Sequence, residues 1–329
     1  MTDLSARAVT VDVHLDAAEW ATHLAGETAR GLRSTPPWTP PVWFYDDVGS
    51  MLFDEITRLP EYYPTRAERS ILEAHADDIA RLSGAEVLVE LGSGTSDKTR
   101  LLIDGLRAAG TLRRFVPFDV SEAVLRDAAA SIAGEHPGLE VHAVVGDFHR
   151  HLGDVPRDGR RLVAFLGGTI GNLDPAQRAR FLFDIDAMLD PDESFLLGTD
   201  LVKDRSRLLA AYDDAAGVTA AFDRNALAVM NRELGADFDP EGFDHRSHWD
   251  DEHAWIEMHL VAREAQVVRV EALDLEVRFA AGEHLRTEIS AKFTPERLRE
   301  ELWAAGLVVE EQWTDDDGDF LLTLARPYC

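Results

Sequence analysis

From about residue 65 the chain alternates between two periods of hydrophobic and polar positions. ERSILEAHADDIARL places its apolar residues at helical spacing, and the EVLVELGSG that follows is an apolar run closing in glycine. The exchange then repeats. DKTRLLIDGLRAAG, EAVLRDAAASIAGEH and PAQRARFLFDIDAML read as helices, while RRFVPFDVS, LEVHAVVGDF, RLVAFLGG and SFLLGTDLV read as buried strands. Apolar strands joined by amphipathic helices specify a parallel sheet with crossover helices, a doubly wound α/β domain.

After residue 200 the alternation stops. SRLLAAYDDAAGVTAAFDRNALAVMNREL is helical with a break near Gly217, and IEMHLVAREAQVVRV and LDLEVRFAAGEHLRTEIS carry the period-two pattern of antiparallel strands. A helix, TPERLREELWAAGL, and two strands around the acidic turn in VVEEQWTDDDGDFLLTLAR are then expected to complete the edge of the first sheet. Upstream, STPPWTPPVWFYDD is too rich in proline for a long helix. The expectation is an α/β domain made of 65–200 and 293–329, into which a second domain made of 1–64 and 201–292 is inserted as a cap.

Composition narrows the function. At 329 residues the chain is long enough for two domains, and 45% hydrophobic with 29% charged residues suits a water-soluble protein. No apolar run reaches the roughly 20 residues of a membrane helix, and MTDLSARAVTVDVHLD lacks the basic start and apolar core of a signal peptide. A formal charge of −28 argues against nucleic acid and anionic membranes as partners. The lone Cys329 allows neither an internal disulfide nor a thiolate zinc site, which fits a reducing cytoplasm. No strong dimer patch is evident, so a monomer is expected.

In VELGSGTSDKT the strand ends at Glu90, and Gly92 and Gly94 make a tight turn before a helix. Ser96-Asp97 stands where a dinucleotide fingerprint has its third glycine, and Lys98-Thr99 follows Asp97 rather than the glycine of a P-loop. The next strand ends in Asp119, placed to accept from both ribose hydroxyls. The third ends in Gly146-Asp147-Phe148, where Asp147 suits an adenine amine and Phe148 can stack on the ring. Each aspartate has a plainer reading as a helix cap, but three successive strand ends carrying the fitting group favour a nucleoside. The expected cofactor contacts are Gly92, Ser93, Gly94, Lys98, Asp119, Asp147 and Phe148.

This constellation resembles class I S-adenosylmethionine-dependent methyltransferases, with their Rossmann-like sheet. Longer stretches are more specific. WFYDDVGSMLFDEITRLPEYYPTRAE, LVELGSGTSDKTR, FLGGTIGNL, LLGTDLVKD, YDDAAGVTAAFDRNALAVMNREL and TEIS together resemble the histidine N-α-methyltransferases of the ergothioneine pathway, over most of the chain. Gly168 in FLGGTIGN departs from that pattern, which has a serine there, and is expected only to loosen a loop.

The resemblance implies that S-adenosylmethionine is the methyl donor, that no metal is needed, and that L-histidine binds between the domains. It implies that Tyr45, Phe53 and Tyr62 line the pocket, with Tyr45 orienting the amine as the catalytic candidate and Tyr63 an adjacent aromatic able to exchange roles with Tyr62. It places Asn172 and Tyr212 on the α-carboxylate, Glu288 and Ser290 on the imidazole, and Gly167 near the amine. Asn and Tyr are donors that bring no competing charge near a sulfonium. Glu288 and Ser290 share one strand face, and Met258 on a neighbouring strand is expected to close the slot. From pattern alone, Tyr45 and Tyr62 would serve equally as core aromatics and Glu288 as a solvated strand residue. His149-Arg150-His151 reads as a solvated helix start, and Asp315-Asp316-Asp317-Gly318-Asp319 as a hairpin turn, because Leu324 stands where a calcium loop needs its glutamate. The resemblance further implies three methylations, giving hercynine. Rival readings are an α-N-methyltransferase of a tryptophan-type amino acid, a nicotinamide dehydrogenase, and a non-catalytic Rossmann-like ligand-binding protein.

Overall fold

A computed structural model of the chain describes residues 9–328; Cys329 and the first eight residues of the segment read for a leader lie outside them. The elements begin with β1 (Thr10–Val13), α1 (Ala17–Leu32), α2 (Asp47–Ile56), α3 (Pro64–Ser83), β2 (Val87–Leu91) and α4 (Thr99–Ala108). They continue with β3 (Arg114–Asp119), α5 (Glu122–Glu135), β4 (Glu140–Val145), β5 (Arg161–Phe165), α6 (Pro175–Met188) and β6 (Ser194–Asp200). Next come α7 (Arg205–Tyr212), α8 (Val218–Leu234), β7 (Phe243–Asp250), β8 (Trp255–Ala262), β9 (Gln266–Val270), β10 (Leu275–Phe279) and β11 (His284–Ala291). The chain closes with α9 (Pro295–Ala304), β12 (Leu307–Thr314) and β13 (Phe320–Pro327).

One eight-stranded sheet has the order β1-β4-β3-β2-β5-β6-β13-β12. The first six strands of that order run parallel, and β13 lies antiparallel between β6 and β12. β2, β5 and β6 are buried at every position, which is why they read as unbroken apolar runs. Val89 and Leu91 pack with α6 and α9 on one face, while Leu88 packs with α3, α4 and α5 on the other. The strand order reverses between β2 and β5, and their carboxyl ends mark the switch point where such sheets hold ligands.

A third apolar core gathers residues from Leu24 to Tyr63 with residues from Leu208 to Leu285, around the three-stranded sheet β11-β8-β7 and the pair β10-β9. β11 leans against the turn after β5 so closely that a Cβ on Gly171 would lie 2.9 Å from the Ala291 carbonyl oxygen. Only glycine permits that approach. Gly217, with φ +77°, separates α7 from α8 where the sequence predicts the break.

The sequence reading predicts neither β1 nor β7. β1 has only four residues and half-exposed ends, yet it pairs with β4 and is pinned by Asp12 against His142 at 2.7 Å. It sets residues 10–13 on the large sheet, although the expectation groups all of 1–64 with the second domain. β7, FDHRSHWD, is polar because it pairs only with β8 and leaves one edge to solvent-facing side chains. No helix among the described residues is long and apolar enough to cross a membrane.

Candidate active site

The glycine turn after β2 is tied to β3. The Gly92 and Ser93 amides donate to the Phe118 carbonyl at 2.9 and 3.1 Å, and the Gly94 amide donates to Asp119 Oδ2 at 3.1 Å. Pairing with β3 engages these amides, so the turn offers bare glycine surface: Gly92 and Gly94 have φ of +67° and +48°, and nothing lies within 4 Å of a Cβ on Gly94. Below the turn, Glu90 accepts from Ser93 Oγ at 2.6 Å and from Thr99 Oγ1, and burial pushes its carboxyl up to about 7 against those bonds.

Asp119 accepts from the Ser121 amide at 2.9 Å as well, and burial raises its pKa despite these bonds. A half-buried carboxylate with lone pairs to spare fits a pair of ribose hydroxyls. Asp147 is buried, with one oxygen accepting from the His149 amide at 2.9 Å. Phe148 is half-buried, its ring edge-on to Phe165 and Phe181 at 5.4 and 5.5 Å. No helix starts at His149: His151 Nδ1 accepts the Asp147 amide at 3.1 Å and holds the segment as a turn. These residues fit an adenosyl cofactor.

Lys98 pairs with Glu68, a fully buried residue the sequence reading did not single out. The same carboxylate accepts the Gly167 amide at 2.8 and 3.0 Å, so Glu68 ties α3, the start of α4 and the loop after β5 together. Gly167 and Gly168 have φ of +77° and +69°, so a serine at 168 would be strained, and glycine is the better fit to this turn.

Across the cleft, four aromatic rings meet edge to face. Tyr45 contacts Phe53 at 5.8 Å, Phe53 contacts Tyr62 at 6.2 Å, and Tyr62 contacts Tyr212 at 6.3 Å. Enclosure, then Glu288, Tyr212 and Asp119, push the Tyr45 phenol up. With 48% of the residue exposed, enclosure counts for less here than at its neighbours, and the acidic groups give the direction. Burial raises Tyr62 and Tyr212 in the same way. All three phenols stay protonated and neutral.

Glu288 lies directly opposite Met258 in the β11–β8 pairing, so both side chains share a face, and Met258 is buried. Asn172 Nδ2 donates to Glu288 Oε1 at 2.9 Å, and burial pushes the carboxyl up to about 7. Tyr212 Oη lies 2.8 Å from Ser290 Oγ. The residues assigned to two ends of a substrate are therefore cross-linked, Asn172 with Glu288 and Tyr212 with Ser290, and all four converge on one pocket.

One expectation needs correction. Tyr63 does not exchange with Tyr62: it is 5% exposed and its hydroxyl donates to both Asp200 oxygens at 2.9 Å. A cation the sequence reading did not single out stands beside these groups: Lys292 Nζ lies 2.8 Å from both Tyr212 Oη and Ser290 Oγ. Its charge is balanced by Asp200 Oδ2 at 2.9 Å. Burial alone would raise Asp200, but Lys292 and Lys203 outweigh it and hold the carboxyl below its ordinary range. Beneath Tyr212 a second buried pair stands: His245 Nδ1 is 2.6 Å from Asp223 Oδ2, and His245 Nε2 donates to the Tyr212 carbonyl at 2.8 Å. Burial would lower His245, yet Asp223 outweighs it and the pKa is raised.

Lys292 was within reach of the sequence, because TEISAK places Glu288, Ser290 and Lys292 at period two. Asp200, Asp223, His245 and Glu68 carried no such signal. The acidic turn behaves as expected of a hairpin: Asp315, Asp317 and Asp319 bring oxygens within 4.8 Å of one another, but Asp315 accepts the Asp319 and Phe320 amides at 2.8 and 2.7 Å, and Arg207 pairs with Asp319.

A parallel sheet whose last strand slips antiparallel between β6 and β12 is that of class I methyltransferases, and its carboxyl edge here carries groups for an adenosyl sulfonium donor. The chain belongs to the histidine-specific, S-adenosylmethionine-dependent methyltransferase family, whose model matches residues 24–327. A histidine N-alpha-methyltransferase of Mycolicibacterium smegmatis is 59% identical to it over 312 residues, 95% of this chain and 97% of that protein. Its counterpart in Mycobacterium tuberculosis is 56% identical, over 96% of this chain and 99% of that protein. Ergothioneine biosynthesis protein 1 of Schizosaccharomyces pombe is 28% identical over 84% of this chain and 34% of its own length. Among solved structures, an S-adenosylmethionine-dependent methyltransferase from Clostridium acetobutylicum aligns with a TM-score of 0.49 at 10% identity, over 85% of this chain and 99% of that one.

Proposed function

We propose that this protein methylates the α-amino group of L-histidine with S-adenosylmethionine, three times in succession, to give hercynine for ergothioneine synthesis. The observation that carries the choice of substrate is the half-buried Glu288, joined to Asn172 and standing beside Ser290 and Tyr212. A ring with two nitrogens can meet both a carboxylate and a hydroxyl there. The naming of the closely similar relatives as histidine N-alpha-methyltransferases supports it.

When bound, S-adenosylmethionine supplies an electrophilic methyl group on a sulfonium. Gly92, Ser93, Gly94 and Lys98 form the floor of its site, Asp119 takes the ribose hydroxyls, and Asp147 and Phe148 take the adenine. The chain's contribution is position: Tyr45, Phe53 and Tyr62 wall the amine in, and holding nucleophile and methyl in line is worth about 7–11 kcal/mol. Tyr45 orients the amine through a neutral hydroxyl, because a phenol pushed upward does not act as a phenolate base. The Gly167 amide is engaged by Glu68, so its carbonyl is the group left to face the amine. Asn172 and Tyr212 hold the α-carboxylate, Glu288 and Ser290 the imidazole, and Met258 closes the slot. Residues 65–200 with 293–329 form the cofactor domain, and 1–64 with 201–292, apart from β1, the substrate domain. We take the enzyme to be a metal-independent cytoplasmic monomer.

The test is incubation with S-adenosylmethionine and a mixture of amino acids, read by mass spectrometry. Histidine alone should gain one, two and then three methyl groups. Methylation of another amino acid in preference to histidine would overturn the assignment.

A further inference from the structure

Lys292 plays no part in the scheme above, yet it is fully buried at the pocket wall. Its ammonium lies 2.8 Å from Tyr212 Oη, 2.8 Å from Ser290 Oγ and 2.9 Å from Asp200 Oδ2. An ammonium has three protons and no lone pair, so every valence is used. The two hydroxyls are 2.8 Å apart, so one donates to the other. A hydroxyl has one proton and two lone pairs. The hydroxyl that receives its neighbour's proton thus has both lone pairs filled, one by Lys292 and one by that neighbour. Its own proton is the strong valence left to point outward.

On the same strand face, Glu288 Oε1 accepts from Asn172 and Oε2 has no hydrogen-bond partner among the described residues. The wall therefore offers one acceptor and one donor, side by side.

We infer that Lys292 is a positioning residue that sets the Tyr212 hydroxyl to donate to Ser290 and the Ser290 hydroxyl to donate outward, which leaves the α-carboxylate to Asn172, so that with Glu288 the pocket selects a ring bearing one N–H and one lone-pair nitrogen. The inference rests on the reading of this pocket as the ring site. An azole in its neutral form satisfies both groups. A pyrrole satisfies Glu288 but leaves the hydroxyl proton unpaired. Without the ammonium, a hydroxyl can turn and present a lone pair, and the demand for a ring acceptor relaxes. Asp200 would keep Lys203 and the Tyr63 hydroxyl as partners, so the loss of Lys292 does not strand it.

The experiment compares kcat/KM for histidine, pyrrolylalanine (N–H but no acceptor nitrogen) and thienylalanine (neither), in wild type, Lys292→Met and Ser290→Ala. In wild type, histidine should exceed pyrrolylalanine by roughly 10–100-fold, the effect of one unpaired buried donor. In Lys292→Met that ratio should fall about tenfold or more, with most of the change in KM, while S-adenosylmethionine affinity measured by calorimetry stays at the wild-type value. Ser290→Ala removes the outward donor itself and should lower the same ratio, which keeps the test open if Lys292→Met does not fold. Equal losses on histidine and pyrrolylalanine, leaving the ratio unchanged, would overturn the role of Lys292 while histidine methylation still stands. A wild type that does not methylate histidine would instead remove the reading on which the inference rests.

Discussion

The two ends of the cleft are built from different materials. At the cofactor end, the groups sit at the carboxyl ends of β2, β3 and β4, and the glycine turn's amides are held by the Phe118 carbonyl and the Asp119 carboxylate. At the substrate end, nearly every polar group is a side chain, and they come from three separate segments: Asn172 after β5, Tyr212 from α7, and Glu288, Ser290 and Lys292 from β11 and the residue just beyond it. The first end follows from the sheet and tolerates change in its neighbours. The second depends on buried charges, Asp200 with Lys292 and Asp223 with His245, whose removal unbalances the wall proposed to recognise the substrate.

That contrast predicts where damage is greatest. Asp223→Ala strips His245 of its partner in a site where both are fully buried. Breaking a buried pair by removing one member costs about 3–5 kcal/mol, so the variant should lose that much in denaturant unfolding. A loss under about 1 kcal/mol would mean that the pair is not a coupled unit. Next in size is Glu288→Ala with Met258→Val. Losing a charged hydrogen-bond acceptor costs roughly 2–3 kcal/mol, or about 30–150-fold in kcat/KM for histidine. Because polarity is removed and room is added, the ratio of kcat/KM should move toward tryptophan. If it does not, the imidazole is not bound at Glu288.

The cofactor end should be gentler and more selective. Asp119→Ala removes one ribose acceptor, for a loss of about 1.5–3 kcal/mol in S-adenosylmethionine affinity by calorimetry. Thermal stability should fall little, because burial already disfavours the ionised carboxyl. Unchanged affinity would place the ribose elsewhere.

The same contrast explains what could be read in the sequence. Strand ends recur once per βα unit, so Gly92, Asp119 and Asp147 announce themselves by position. The apolar runs of β2, β5 and β6 were equally plain, whereas β1 is too short and β7 too polar to stand out. At the substrate end, motif resemblance pointed to Glu288, Ser290, Asn172 and Tyr212, but not to the ions behind them. Asp200, Lys203, Asp223, His245 and Glu68 look in sequence like any solvated residue. Asp223 and His245 are buried where α8 packs against β7, Asp200 where it meets Lys292 just beyond β11, and Glu68 where it meets Lys98 and the Gly167 amide, contacts that the hydrophobic pattern of one segment does not show. Tyr63 was misread for the same reason, since its neighbour Tyr62 and it differ only in what lies opposite.

The smallest predicted effects concern pH, and they test whether the substrate end is tuned as a charged wall. Glu288 titrates at about 7 in the free protein because burial penalises its anion. Its ionised form is the one that accepts a ring N–H without competing for a proton. Histidine also needs a neutral amine, with an α-amino pKa near ~8. The kcat/KM at saturating cofactor should therefore rise through two steps, near 7 from Glu288 and near ~8 from the amine. Glu288→Gln cannot titrate, so it should lose the lower step and keep the upper one. Stability should move the opposite way. A carboxyl whose pKa is raised from 4.5 to about 7 on folding contributes stability that is full below 4.5 and lost as pH climbs through 7. Glu288→Gln has no such loss, so above pH 7 it should melt on the order of a few degrees higher than wild type, with the gap narrowing as pH falls from 7 to 4.5. Melting curves of both proteins across that range decide the point: a variant less stable than wild type at high pH would show that the anion is compensated within the pocket before any substrate arrives.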